Sequence, residues 1–213
     1  RRLPPAVHWS PHRGVLPQIG IAVALAGGMC LMMLLVLPIA SPNGATTMGT
    51  FIHEAFHSLA SAIFDGQWAE IVLYAEGGGH ASVYPSSTLA KIIIAMAGVI
   101  GTGWTAALLL ALGLTRTGTS AVLGFGGLAI VVITAALVSA PADQLVVLYG
   151  IGILWIGLGL APLGGLTKSL ILLCAGTGLS WTVFSNLEYL SIDFIDGDTS
   201  RPSDSMILAQ ALG

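Results

Sequence analysis

Three residues in one short stretch carry the chemistry to be explained. His53, Glu54 and His57 spell H-E-x-x-H. On an α-helix, side chains four apart project from one face at about 6 Å, so both imidazoles can bind a single zinc ion. Glu54 stands beside them, where a carboxylate can take a proton from water at such an ion. With five His and four Glu in 213 residues, the pattern arises by accident in roughly 0.2% of such chains. The spacing therefore predicts a hydrolytic zinc site.

The helix that must position these groups is legible around them. At 100° per residue, Thr46, Thr47, Thr50, His53, Glu54, His57, Ser58 and Ser61 fall within one arc of about 140°. The opposite face carries Met48, Phe51, Ile52, Ala55, Phe56, Leu59 and Ile63. Such a helix has one wet, protein-facing stripe and one face for lipid or apolar packing. The stripe could line the route by which water reaches a metal.

The composition says where this helix resides. The chain is 55% hydrophobic and 8% charged, with a mean hydropathy of +0.90. Its seven Lys and Arg and ten Asp and Glu amount to about one charge in 12 residues, against roughly one in four for a soluble domain. That is too little to cover a hydrated surface, which excludes a soluble fold, and disorder fails on the same count. The net charge of −3 excludes a nucleic-acid partner. What remains is an integral membrane protein whose partner is the lipid bilayer.

After Arg1, Arg2 and Arg13 in a Pro-rich head, the next charge is Glu54. The other charges punctuate apolar runs of about 20 residues, the length that a bilayer core requires of a helix. Six spans result, at about 18–40, 45–64, 89–113, 119–140, 144–161 and 166–192. The expected fold is thus an all-α membrane bundle of about six transmembrane helices with a short β-like loop after the second. Residues 1–17 form a cytoplasmic N-terminal segment, 18–192 the transmembrane core, and 193–213 an acidic C-terminal segment. In the third span, Gly98, Thr102 and Ala106 form a ridge of small residues suited to close helix packing. A cytoplasmic N-terminus places Arg1, Arg2, Arg13, Lys91 and Arg201 inside and only Arg116 and Lys168 outside, as the positive-inside rule favours.

The loop 65–88 differs in kind. It holds three acids, a β-type run at Ile71–Tyr74, a turn at Gly77-Gly78-Gly79 and a second β-type run at Ala81–Tyr84, which together read as a hairpin or re-entrant loop. Cys30 and Cys174 lie in apolar spans and read as buried thiols.

Catalytic zinc takes three protein ligands and keeps one position open. The candidates for the third are Asp204, Glu188, His80, Asp193, Asp196 and Asp198. His57 lies toward the cytoplasmic end of its span, so the tail acids are all topologically within reach. Ser203-Asp204 also opens an apolar helical run, where the pair reads equally as a helix N-cap followed by a first-turn acid. Spacing alone does not choose among these.

The chain resembles the small bacterial branch of the site-2 protease family, the intramembrane zinc metallopeptidases. The residues that carry the likeness are His53-Glu54-Ala55-Phe56-His57-Ser58-Leu59-Ala60, the Gly77-Gly78-Gly79 loop, the span opening Met96-Ala97-Gly98-Val99-Ile100-Gly101, and Pro202-Ser203-Asp204-Ser205-Met206-Ile207-Leu208-Ala209. The likeness implies zinc as cofactor, His53, His57 and Asp204 as its ligands, and Glu54 as general base. It also implies a membrane-protein or peptide substrate and a place in the bacterial cytoplasmic membrane. One departure is that the larger members carry Asn-Pro…Asp-Gly late in the chain, whereas Pro162-Leu163-Gly164-Gly165 here has no carboxylate. The competing expectation is a non-catalytic membrane protein, either a metal or ion transporter or a degenerate protease scaffold, since intramembrane His and acids also mark ion pathways.

Overall fold

The computed structural model describes residues 44–75, 78–185 and 203–212. The expected first span at 18–40, the segment 1–17, and most of the acidic tail with its approach from 186 lie outside them. The described chain runs α1 (Gly44–Phe64), β1 (Ile71–Leu73), β2 (Gly79–Ala81), α2 (Thr88–Thr115), α3 (Thr119–Leu137), β3 (Val138–Ser139), α4 (Ala142–Leu160), α5 (Gly165–Ser185) and α6 (Asp204–Leu212). Four of these helices, α2 to α5, are long and apolar enough to cross a membrane. α1 has the length, 21 residues, but its polar stripe lowers its hydropathy.

Three expectations need correction. The fold is not purely helical, because β1, β2 and β3 form a three-stranded sheet in the order β2-β1-β3. The 119–140 span ends at Leu137, where the chain turns extended to pair Val138 and Ser139 in parallel with Ile71 and Val72. Pro141 then supplies the N-cap of α4, since its fixed φ suits a helix start and its missing N–H is not needed there. Lastly, the second strand begins earlier than the expected run at Ala81–Tyr84. The Tyr74 amide donates to the Gly78 carbonyl at 2.8 Å, so the turn closes tightly and Leu73 already faces Gly79.

Two helix pairs build the core. α3 and α4 run against each other with the Gly127 backbone on that of Gly152, so that a Cβ on Gly127 would stand 2.5 Å from the Gly152 carbonyl oxygen. α2 and α5 pack through Ala106, Leu109, Leu172 and Leu179, with Leu123 of α3 filling the seam. A second cluster joins α1 to the sheet and the α3–α4 pair through Phe51, Ile71, Leu73, Ile130 and Leu148. The sheet's inner face, Ile71 and Leu73, is therefore core. Large apolar side chains such as Trp104, Phe125, Leu160 and Trp181 remain exposed, as lipid-facing positions must be.

Polar groups fasten this bundle where apolar packing cannot specify position. Lys168, 5% exposed, donates from Nζ to Ser120 Oγ at 2.8 Å and to the Gly159 carbonyl at 2.9 Å. It caps the C-terminal end of α4 from α5, a favourable place for a cation. At the base of the hairpin, Asp65 Oδ1 accepts from the Ser86 amide at 3.0 Å and from its hydroxyl at 2.5 Å. Those bonds hold the Asp65 carboxyl below the usual carboxylate range and close the excursion between α1 and α2. Replacing Lys168 with Met leaves a buried carbonyl and hydroxyl unpaired and is expected to cost about 1–3 kcal/mol. Thermal unfolding in detergent checks this, with a lowered midpoint expected and bound metal unchanged.

Candidate metal centre

On α1 the polar arc is turned into the protein. Thr47, Ser58 and Ser61 are 2%, 0% and 3% exposed, whereas Ile63 and Phe64 on the other side are 66% and 48% exposed. In surroundings where bare polar groups are costly, the stripe must meet partners. Ser58 Oγ donates to the Ala69 carbonyl at 2.8 Å, fixing the chain just before β1. His57 Nδ1 is 2.6 Å from the Ile94 carbonyl of α2. A carbonyl can only accept, so Nδ1 carries the proton and Nε2 is left with a free lone pair, the arrangement expected of a metal-binding imidazole.

The third group arrives from the far end of the chain. Ser203, fully buried, caps α6: its Oγ accepts from the Met206 amide at 3.3 Å and its carbonyl from the Ile207 amide at 2.9 Å. The next residue, Asp204, is thereby set in the first turn with its carboxylate toward α1. Ser203 is thus the helix cap, and the same placement brings the Asp204 carboxylate beside both histidines.

Asp204 Oδ2 stands 3.0 Å from His53 Nε2 and 3.2 Å from His57 Nε2, and the two Nε2 atoms are 2.9 Å apart. The histidine rings meet edge-on with centroids 4.6 Å apart, closer than the expected separation because both tips converge. Tetrahedral zinc with bonds of ~2.0–2.2 Å spaces its ligand atoms by roughly 3.3–3.5 Å. The observed triangle is tighter by a few tenths of an ångström, with two imidazole nitrogens and one carboxylate oxygen, a donor set that suits zinc. Among the described residues, these three form the group able to hold a metal ion.

Gly98 makes room for the triangle. A Cβ there would lie 2.5 Å from the Nε2 atoms of both His53 and His57, so α2 presents bare backbone to the imidazole tips. Thr102 and Ala106, one and two turns on, are 2% and 3% exposed, and the small-residue ridge is indeed a packing face. Sequence reasoning recognised the ridge but not that the site begins at its first member. Nor did it find the Ile94 carbonyl, because a backbone acceptor is not a side-chain type that spacing can flag.

Glu54 is 7% exposed and lies close enough to His57, His53, Asp204 and His80 to interact electrostatically with each. His80, a candidate third ligand, is instead on β2. Its Nδ1 is 2.5 Å from the Tyr74 hydroxyl, and the two rings stack, outside the triangle. Glu188, Asp193, Asp196 and Asp198 lie outside the described residues, as does Cys30. Cys174 is buried, as expected. Pro162-Leu163-Gly164-Gly165 forms the α4–α5 link and the first residue of α5, with no acid near it in sequence.

Two imidazoles and a convergent carboxylate that could hold a metal ion, beside a second buried carboxylate, thus stand in a protein with four helices long and apolar enough to cross a membrane. The family described as Peptidase M50B-like matches residues 21–213, and the chain belongs to that family. No curated protein and no solved structure matches it significantly.

Substituting Gly98 with Val is expected to push the imidazole tips apart and reduce bound metal to well below one equivalent. Gly98→Ala should do so in part. Metal analysis of the purified proteins beside Asp204→Ala checks this. Full metal content in Gly98→Val would show that the triangle is not the binding site.

Proposed function

We propose that this chain is a zinc-dependent intramembrane endopeptidase that hydrolyses a peptide bond of a membrane protein within or near the bilayer. The observation that carries the reading is the convergence of His53 Nε2, His57 Nε2 and Asp204 Oδ2 beside a buried Glu54. Family membership and the four apolar helices support a hydrolase integral to the membrane. The charge distribution supports a cytoplasmic N-terminus, and the likeness to the small bacterial branch supports the bacterial cytoplasmic membrane.

His53, His57 and Asp204 would hold the ion, with His57 fixed in the right tautomer by the Ile94 carbonyl. Zinc, when bound, polarises a carbonyl and lowers the pKa of water toward ~7. Glu54 then acts as the base: its carboxylate takes one proton as the water oxygen bonds to the scissile carbonyl carbon. As the C–N bond breaks, Glu54 returns that proton to the leaving amine, so the carboxylate ends as it began. The burial of Glu54 limits the access of bulk water that would compete for the proton.

A substrate helix has its carbonyls engaged in hydrogen bonds and must be extended before attack. β2 is an edge of the sheet and packs against α1, since Gly79 lies on Thr50, one turn before His53 and Glu54. An extended substrate segment can add to that edge by main-chain hydrogen bonds, which would place its carbonyls beside the triangle.

Glu54→Gln is expected to retain one equivalent of zinc while cleavage of a membrane-protein substrate falls by roughly 10²–10⁴-fold. Metal analysis and a cleavage assay on the same preparations make the test. Wild-type protein that binds no zinc, or a Glu54→Gln variant that cleaves normally, would overturn the reading.

A further inference from the structure

The hairpin 71–81 is fastened at one end to α1, through Ser58 and the Ala69 carbonyl. Its turn end needs an anchor of its own, and β3 provides only a short one. The parallel pairing of β1 with β3 matches Ile71 with Val138 and Val72 with Ser139. Continued two residues further, that register sets Tyr74 opposite Pro141. Proline has no N–H to donate, and the chain leaves the sheet there to begin α4.

Gln144, in the first turn of α4, takes over. Its side-chain Nε2 donates to the Tyr74 carbonyl, so a side-chain amide supplies the donor that the backbone of Pro141 lacks. Gln144 is 3% exposed, and among the described residues its Oε1 is buried without a hydrogen-bond partner. An unsatisfied buried acceptor is costly, and an apolar side chain of the same length would avoid that cost. Packing alone therefore does not account for an amide here, whereas the bond to Tyr74 does. One turn later on the same face, Leu148, fully buried, packs against the inner face of the sheet, so Gln144 acts from a rigid base.

We infer that Gln144 is a positioning residue, which sets the turn end of the β1–β2 hairpin at a fixed height against α1 and so aligns the β2 edge with Glu54 and the His53–His57–Asp204 triangle. The inference rests on the endopeptidase reading for its consequence in catalysis, but its structural content stands apart from that reading. Loss of the bond frees the hairpin without touching any group of the triangle.

The test compares zinc-loaded wild type with Gln144→Leu, which keeps bulk without a donor, and Gln144→Glu, which keeps shape but presents an acceptor to the Tyr74 carbonyl. Amide hydrogen exchange in detergent is expected to quicken by roughly tenfold at Leu73, Tyr74, Gly79 and Ala81 in both variants, the scale of one lost hydrogen bond. Amides of α2 and the zinc content should not change. In a cleavage assay KM should rise by a similar factor with kcat nearly unchanged, as expected when substrate alignment rather than chemistry is lost. Hairpin exchange at wild-type rates in both variants overturns the inference, and so does a fall in kcat at constant KM. If wild type binds zinc but cleaves nothing, the endopeptidase reading fails while the exchange experiment still decides the role of Gln144.

Discussion

The structure depends on one constraint: a carboxylate and two imidazoles sit mid-helix, largely buried among other helices. Placing a bare charge in such surroundings costs at least ~2.5 kcal/mol, so every nearby element is arranged to supply a partner or to stay out of the way. The Ile94 carbonyl accepts a hydrogen bond from His57 Nδ1. Gly98 withdraws its side chain so that the imidazole tips can meet. Ser203 holds Asp204 at the start of α6, where its carboxylate reaches both rings. None of these would be needed if α1 carried only apolar residues, and together they explain why α2 and α6 both converge on the same two turns of α1.

The sequence made this constraint visible because charge is scarce. Apolar run length revealed α2 to α5 to within a few residues at most described ends, since bilayer-length helices need little beyond composition. His53, Glu54 and His57 were legible because their relation is local: spacing on one helix determines it. Asp204 was harder. It lies 151 residues from His53 in sequence, and no periodicity links them. Only the likeness of its segment to a known family separated it from the other acids, whereas the capping pattern of Ser203-Asp204 offered a second, equally valid explanation of the same pair.

What could not be read was the part of the fold set by pairing. Val138 and Ser139 look like the end of an apolar helix, and only a partner strand some 67 positions earlier makes them a strand. The β2 register likewise follows from how tightly the Tyr74–Gly78 turn closes, which residue types around three consecutive glycines do not decide. Gln144 reads as an ordinary polar residue near a helix start until the Tyr74 carbonyl is seen above it. Each of these depends on long-range contact, and sequence pattern reports mainly on local geometry.

These unreadable contacts share a chemistry that follows from the medium. In lipid, burying apolar surface between helices gains little, because the tails are as apolar as the side chains, and position is specified by close backbone approach and hydrogen bonds. The α3–α4 pair accordingly meets at Gly127 and Gly152, Lys168 joins three helices by donating to Ser120 and Gly159, and Ser58 and Gln144 hold the hairpin from opposite sides. The hairpin sits between the helix that bears the histidines and the α3–α4 pair, which contributes no group to the triangle. Its two polar attachments couple a rigid, chemically silent half of the bundle to the edge beside Glu54. A metal site on a single helix would bind an ion without help from that half. Under the proposed endopeptidase reading, holding an extended chain at a fixed distance from the triangle would require it, and that would give α3 and α4 a physical reason to be part of the molecule.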